Sequence, residues 1–151
     1  MSTTTTPARP AFVHHLGGPL AASLGAWIAW AVAMIGNWQS GDDKEDTLST
    51  LELLAYVGLG VAVIALATFL GARALAGGPG RVAGTSLGLA IASAVTWIGF
   101  WSSWPVVFAG VAILLAVEYR RRVGAFSGPA AFGLGLGILA GAAALVVCVI
   151  G

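Results

Sequence analysis

The chain has 151 residues, 58% of them hydrophobic and 9% charged, whereas soluble domains run at about 45–50% and about 25%. That balance excludes an ordinary water-soluble domain and predicts an all-α membrane protein of one domain. Seven basic and six acidic residues leave a net charge of +1, so no overall field points to nucleic acid, and the lone Cys148 excludes an intramolecular disulfide or a multi-cysteine metal site.

Residues 1–16 begin MSTTTTPARP. This Thr-rich polar stretch is expected to be a disordered tail, with residues 17–151 forming a single transmembrane domain. Crossing the hydrocarbon core takes about 20 apolar residues at ~1.5 Å each. Five segments approach that length: 19–38, 51–72, 82–101, 104–119 and 130–150. Arg9, the apolar run from Leu16 and the triplet Ala31-Val32-Ala33 have the form of a cleaved leader. The run continues to Trp38, however, and recurs in an internal segment, so a retained span is expected. The loop Gly41–Asp46, GDDKED, with Glu52 beyond it, lacks the ligand spacing and turn glycine of a calcium loop and reads as a solvated connection.

The fourth span is the short one, and only Ser102 and Ser103 separate it from the third. One long bent helix competes with two separate ones, and Pro105 favours a break because it suits a turn or a first helical position. Charge placement also favours five spans. With the N-terminus inside, Arg9, Arg73, Arg81, Arg120, Arg121 and Arg122 lie on the inner side and Lys44 alone on the outer. The expected topology is N-inside, C-outside. The Ala/Gly/Arg-rich, Lys-poor composition suggests a bacterial inner membrane.

The chain also repeats itself. Ser23 to Ser40, SLGAWIAWAVAMIGNWQS, aligns without a gap to Ser86 to Ser103, SLGLAIASAVTWIGFWSS, with 11 of 18 positions identical. Gly18-Pro19, Gly78-Pro79 and Gly128-Pro129 precede the odd spans, and Gly60-Val-Ala-Val-Ile resembles Gly110-Val-Ala-Ile-Leu in the even ones. The pattern predicts two parallel helical hairpins plus a half repeat, unlike the inverted repeats of many transporters.

Lipid supplies no hydrophobic force between helices, so close packing depends on small residues. Such residues recur every four positions around Gly25, at Gly84 and Gly88, and at Gly133, Gly137 and Gly141. These positions are expected at helix contacts. The fifth helix, lacking a partner in the repeat, is expected to pack in a homo-oligomer or a larger membrane complex. Trp38, Trp97, Trp101 and Trp104 gather near the outer boundary as an interfacial belt, and an outer aromatic cleft for a flat amphiphile is the sharper reading. Arg73, Arg81, Arg120, Arg121 and Arg122 put five positive charges on two short inner loops, which sets topology and fits contact with anionic lipid.

His14 and His15 are adjacent and have no second ligand pair, so no metal site is expected there. No cofactor motif, nucleophile elbow or phosphate loop occurs, and no acid or base lies deep in a span. The chain is therefore expected not to be an enzyme. A structural or accessory membrane subunit is the leading expectation, ahead of a carrier or channel-like protein for a neutral or amphiphilic molecule, with an envelope sensor third.

Overall fold

The computed structural model describes residues 14–40, 50–99 and 102–150, with side chains at 14–36, 54–98 and 102–150. Most of the N-terminal tail and the acidic loop lie outside the described residues. Five helices follow in order: α1 (Gly17–Ser40), α2 (Thr50–Leu75), α3 (Pro79–Val95), α4 (Trp104–Val123) and α5 (Gly128–Ile150). A 3-10 turn, Thr96–Gly99, continues α3. No strand occurs among the described residues.

The helix ends follow from local chemistry. Gly78 is extended (φ −74°, ψ 167°) ahead of Pro79, which lacks an N–H and has its φ already fixed near the helical value. At α5 the Ser127 hydroxyl accepts the Ala130 N–H at 3.4 Å, a weak N-terminal cap. α4 stops at Gly124, whose φ of +84° is left-handed and whose N–H reaches the Arg120 carbonyl at 2.7 Å. A side chain there would be strained, which is why glycine closes this helix.

Between α3 and α4 the chain breaks rather than bends. Thr96 Oγ1 donates to the Ala92 carbonyl at 2.7 Å, tightening the last turn of α3. α4 then starts with Pro105 in its first turn and runs back along α3, where Ser93 Oγ donates to the Pro105 carbonyl at 2.7 Å. The two copies of the repeated sequence therefore end differently. Ile35 to Ser40 remains α-helical, whereas Ile98 and Gly99 lie in the 3-10 turn.

Among the described residues, four helical segments are long and apolar enough to cross a membrane: Gly17–Gly36, Leu54–Leu75, Pro79–Ile98 and Gly128–Ile150. α4 is not among them, because its last turns carry Glu118 and Arg120–Arg122. It is nevertheless the centre of the molecule, lying against all four other helices. Val107, Val111, Ala112, Leu115 and Ala116 have no exposed surface.

Small groups on each side of α4 allow this. Gly110 faces Ala22 and Ala26 of α1, Val111 and Pro19 of α1 both close on Gly71 of α2, and Ala109 faces Gly137 and Gly141 of α5. On the α3 side, Ser86 Oγ donates to the Ala112 carbonyl at 2.8 Å. Contacts also fix the directions. Pro19 meets Gly71 while Trp27 meets Gly60, and Gly18 meets Leu114 while Ala26 meets Gly110, so α1 runs antiparallel to α2 and α4. Ser86 and Ser93 of α3 meet Ala112 and Pro105, and Gly137 and Gly141 of α5 meet Ala112 and Ala109, so both helices run antiparallel to α4 and parallel to each other.

The outer surface is equally apolar. Ile28, Val32, Val61, Phe132, Leu139 and Val149 are all more than half exposed, as suits contact with lipid tails rather than water. α1 is the peripheral helix, with 17% of its span buried against 33% for α3 and α5.

Candidate functional site

The expected packing glycines divide sharply. Gly133, Gly137 and Gly141 are buried against α3 and α4: an added methyl at Gly133 would lie 2.6 Å from Ser86 Oγ, and one at Gly141 2.9 Å from Ala109 Cβ. Gly25, Gly84 and Gly88 instead face outward, with nothing within 4 Å of such a methyl. Among the described residues no neighbouring helix closes on them at that distance. Spacing of four reveals a stripe of small residues but not which way it points. On α3 the buried side is Val82, Ser86, Leu89, Ala90 and Ser93.

Glycines outside the three stripes make the remaining close approaches. Gly60 accommodates the Trp27 indole, Gly71 accommodates Pro19 and Val111, and Gly110 meets Ala22 and Ala26. A sequence signal for two of them existed, since Gly60 and Gly110 head the matching segments of α2 and α4.

The buried hydroxyl-bearing residues among the described residues are Ser23, Thr68, Ser86, Ser93 and Ser103. Ser23 and Thr68 join α1 to α2 at 3.3 Å, while Ser86 and Ser93 join α3 to α4 through backbone carbonyls. Ser23 and Ser86 occupy equivalent places in the repeat. Both point inward, although their partners differ.

Of the four tryptophans expected near the outer boundary, Trp97 and Trp104 have described side chains. The Trp38 side chain and all of Trp101 lie outside the described residues. Trp97 is 41% exposed on the 3-10 turn, whereas Trp104 packs on the core and meets Phe108 edge-on, with centroids 6.1 Å apart. Trp27 and Trp30 pack inside the bundle, Trp30 with Val106, Ala144 and Cys148. The indole N–H groups of Trp27 and Trp104 are buried without an acceptor among the described residues. Trp30 lies beside the Cys148 sulfur, a weak acceptor at best. Among the described residues no three His, Cys, Asp or Glu side chains gather in a metal-binding group.

The opposite end of the bundle is basic. The last turn of α2 brings Arg73, the first turn of α3 Arg81, and the last turn of α4 Arg120, Arg121 and Arg122. Arg122 ties two of these segments together: its Nε donates to Glu118 Oε1 at 3.0 Å and its Nη1 to the Leu75 carbonyl at 2.9 Å. That second bond satisfies one of the carbonyls left open at the end of α2. Arg120 lies over the Phe126 ring, 5.2 Å from its centroid. Arg121 stands 3.7 Å from Glu118, with its side chain 78% exposed.

Comparison with known protein families, curated proteins and solved structures returns no match. The fold defines the chain as a helical bundle with four apolar helices compatible with a membrane protein.

Proposed function

We propose that this chain is a small multi-pass integral membrane protein with five spans, acting as a non-catalytic structural or accessory subunit. The observation that carries the reading is the position of α4. A single-chain channel needs an open axis, and here the axis is occupied by a helix whose inner residues have no exposed surface.

α4 serves as the fifth span in this reading, shielded from lipid by its neighbours so that its own apolarity matters less. The alternating helix directions give two hairpins, α1–α2 and α3–α4, plus α5. Arg73, Arg81 and Arg120–Arg122 at one end set the N-terminus inside by the positive-inside rule. With the glycine stripe of α5 engaged inside the chain, association with a second copy or a larger complex uses its other face, where Phe132 and Leu139 are 65% and 68% exposed.

Extraction in native lipid followed by mass spectrometry tests the assignment. A partner recovered in fixed stoichiometry, or a defined homo-oligomer, supports it. A monomer that carries a bound small molecule refutes it. Orientation is tested separately: alkaline phosphatase fused after Gly151 should be active, and an inactive fusion with active cytoplasmic reporters at that end reverses the topology.

One observation favours the carrier reading. Trp27 and Trp104 bury indole N–H groups without acceptors among the described residues, and a neutral amphiphile bearing carbonyl oxygens would satisfy them. Ligand-dependent stabilisation of the purified chain, lost in Trp104→Phe, would support that alternative.

A further inference from the structure

Five arginines and one carboxylate, Glu118, occupy the basic end among the residues with described side chains. Arg122 takes the near carboxylate oxygen, so four positive charges remain in excess at a surface formed by the ends of three helices. The segments that carry them lie about forty residues apart in sequence. The bond from Arg122 to the Leu75 carbonyl brings them together.

Position and side-chain chemistry both restrict the ligand. The apolar span of α2 ends at Leu75 and that of α3 begins at Pro79, so Arg73 and Arg81 stand within two turns of the hydrocarbon boundary, where phospholipid headgroups lie. The Arg81 stem folds over Gly77, its Cδ 2.7 Å from where a methyl at that glycine would sit. This leaves an aliphatic shaft packed on the turn and a charged head beyond it. Phe126 similarly supports Arg120.

All five cations are arginine, while the chain's one lysine, Lys44, belongs to the acidic GDDKED stretch of the sequence. Lysine would set topology equally well. A planar fork of donors adds bidentate binding of phosphate oxygens.

We propose that Arg73, Arg81, Arg120 and Arg121, drawn together by the Arg122 bond to α2, bind the phosphate groups of anionic phospholipids at the inner surface of the bilayer. This rests on the membrane reading above. It adds a ligand class and a set of binding residues, with Arg122 as a positioning residue. The basic surface selects lipids by charge, and the arginine forks add phosphate geometry.

The test reconstitutes the full chain in nanodiscs of equimolar phosphatidylcholine and phosphatidylglycerol with matched acyl chains. Lipids retained by the protein are then counted by native mass spectrometry. Wild type should retain phosphatidylglycerol preferentially. R73Q/R81Q/R121Q should lose most of that preference, by at most about fivefold per arginine, the equivalent of about 1 kcal/mol each at an anionic surface. R73K/R81K/R121K keeps the charge and should fall between the two; its circular dichroism and that of the Gln variant check that both fold.

An unchanged preference in the Gln variant overturns the proposal. So does inorganic phosphate at millimolar concentration displacing the lipid, which would mark a site for free anions. A wild-type chain that stays out of the bilayer defeats the membrane reading itself, a failure distinct from loss of lipid preference.

Discussion

Replacing Gly133 by alanine adds one methyl where the structure has least room for it. The new carbon would lie 2.6 Å from Ser86 Oγ, 3.0 Å from the Leu87 nitrogen and 3.1 Å from the Ser86 carbonyl carbon. Optimal carbon contacts lie near 3.5–4.0 Å, so α3 and α5 must separate by roughly half an ångström or more. A rotating side chain cannot relieve this, because two of the three obstacles are backbone and Ser86 Oγ is held by the Ala112 carbonyl at 2.8 Å. Overpacking costs about 1–3 kcal/mol, and weakening that hydrogen bond costs about 0.5–1.5 kcal/mol more. Alanine regains up to about 1 kcal/mol of helix propensity. The net expectation is a loss of about 1–3 kcal/mol.

Gly84→Ala is the matched control: it is also on a membrane-facing helix, but its methyl would meet nothing within 4 Å. It should be neutral or slightly stabilising. Both variants can be titrated from mild detergent into dodecyl sulfate and followed by circular dichroism at a helical wavelength. The double variant Gly133→Ala/Ser86→Ala removes the nearest obstacle and should recover part of the loss, a coupling that a double-mutant cycle isolates. If Gly133→Ala unfolds with the wild type while Gly84→Ala is destabilised, the inward and outward faces of these helices have been assigned the wrong way round.

Gly71→Ala should cost about 1–3 kcal/mol by overpacking, since its methyl would lie 2.9 Å from both Pro19 Cβ and Val111 Cγ1 and the proline ring cannot turn aside; the same titration reads it. At the basic end, Arg122→Gln should lower stability by about 1 kcal/mol through loss of charge-assisted bonds to Glu118 and Leu75. Arg121→Gln should have almost no effect, because its 3.7 Å pair is open to solvent on the arginine side. Equal effects of the two would remove the clamp assigned to Arg122. Cys148 is 2% exposed behind Trp30 and Ala144, so maleimide should label it slowly in mild detergent and rapidly after unfolding. Rapid labelling from the start would show that α5 is not docked against α1.

The helix count and most of the helix ends were legible in the residues. Gly78-Pro79 and Gly128-Pro129 start helices because proline is accommodated in a first turn, and Pro105 separates α3 from α4 for the same reason. The basic end could be read as a charge pattern. The joining role of Arg122 could not, because nothing in residues 120–122 distinguishes the guanidinium that reaches Leu75 from its two neighbours. The central place of α4 was equally hidden. Its short apolar length and the two-residue gap before it made it look like the doubtful span, while its value to the fold lies in Ala109, Gly110 and Ala112, each small where a neighbouring helix approaches.

Apolar length, Gly-Pro helix starts and arginine placement are local properties, so a bundle of apolar helices with one strongly basic end can be read from the residues alone. Which face of each helix points inward depends on contacts between helices distant in sequence. In a soluble protein the hydrophobic stripe gives that answer in advance. Here Ala, Gly, Leu and Val surround every helix, and lipid competes with protein on nearly equal terms for apolar surface. What remains is fit and hydrogen bonding: Gly133 against Ser86, Gly110 against Ala22, and the Ser86 and Ser93 hydroxyls against α4. Those contacts turn Gly133 inward and leave Gly84 facing out, although the two have the same kind of sequence surroundings.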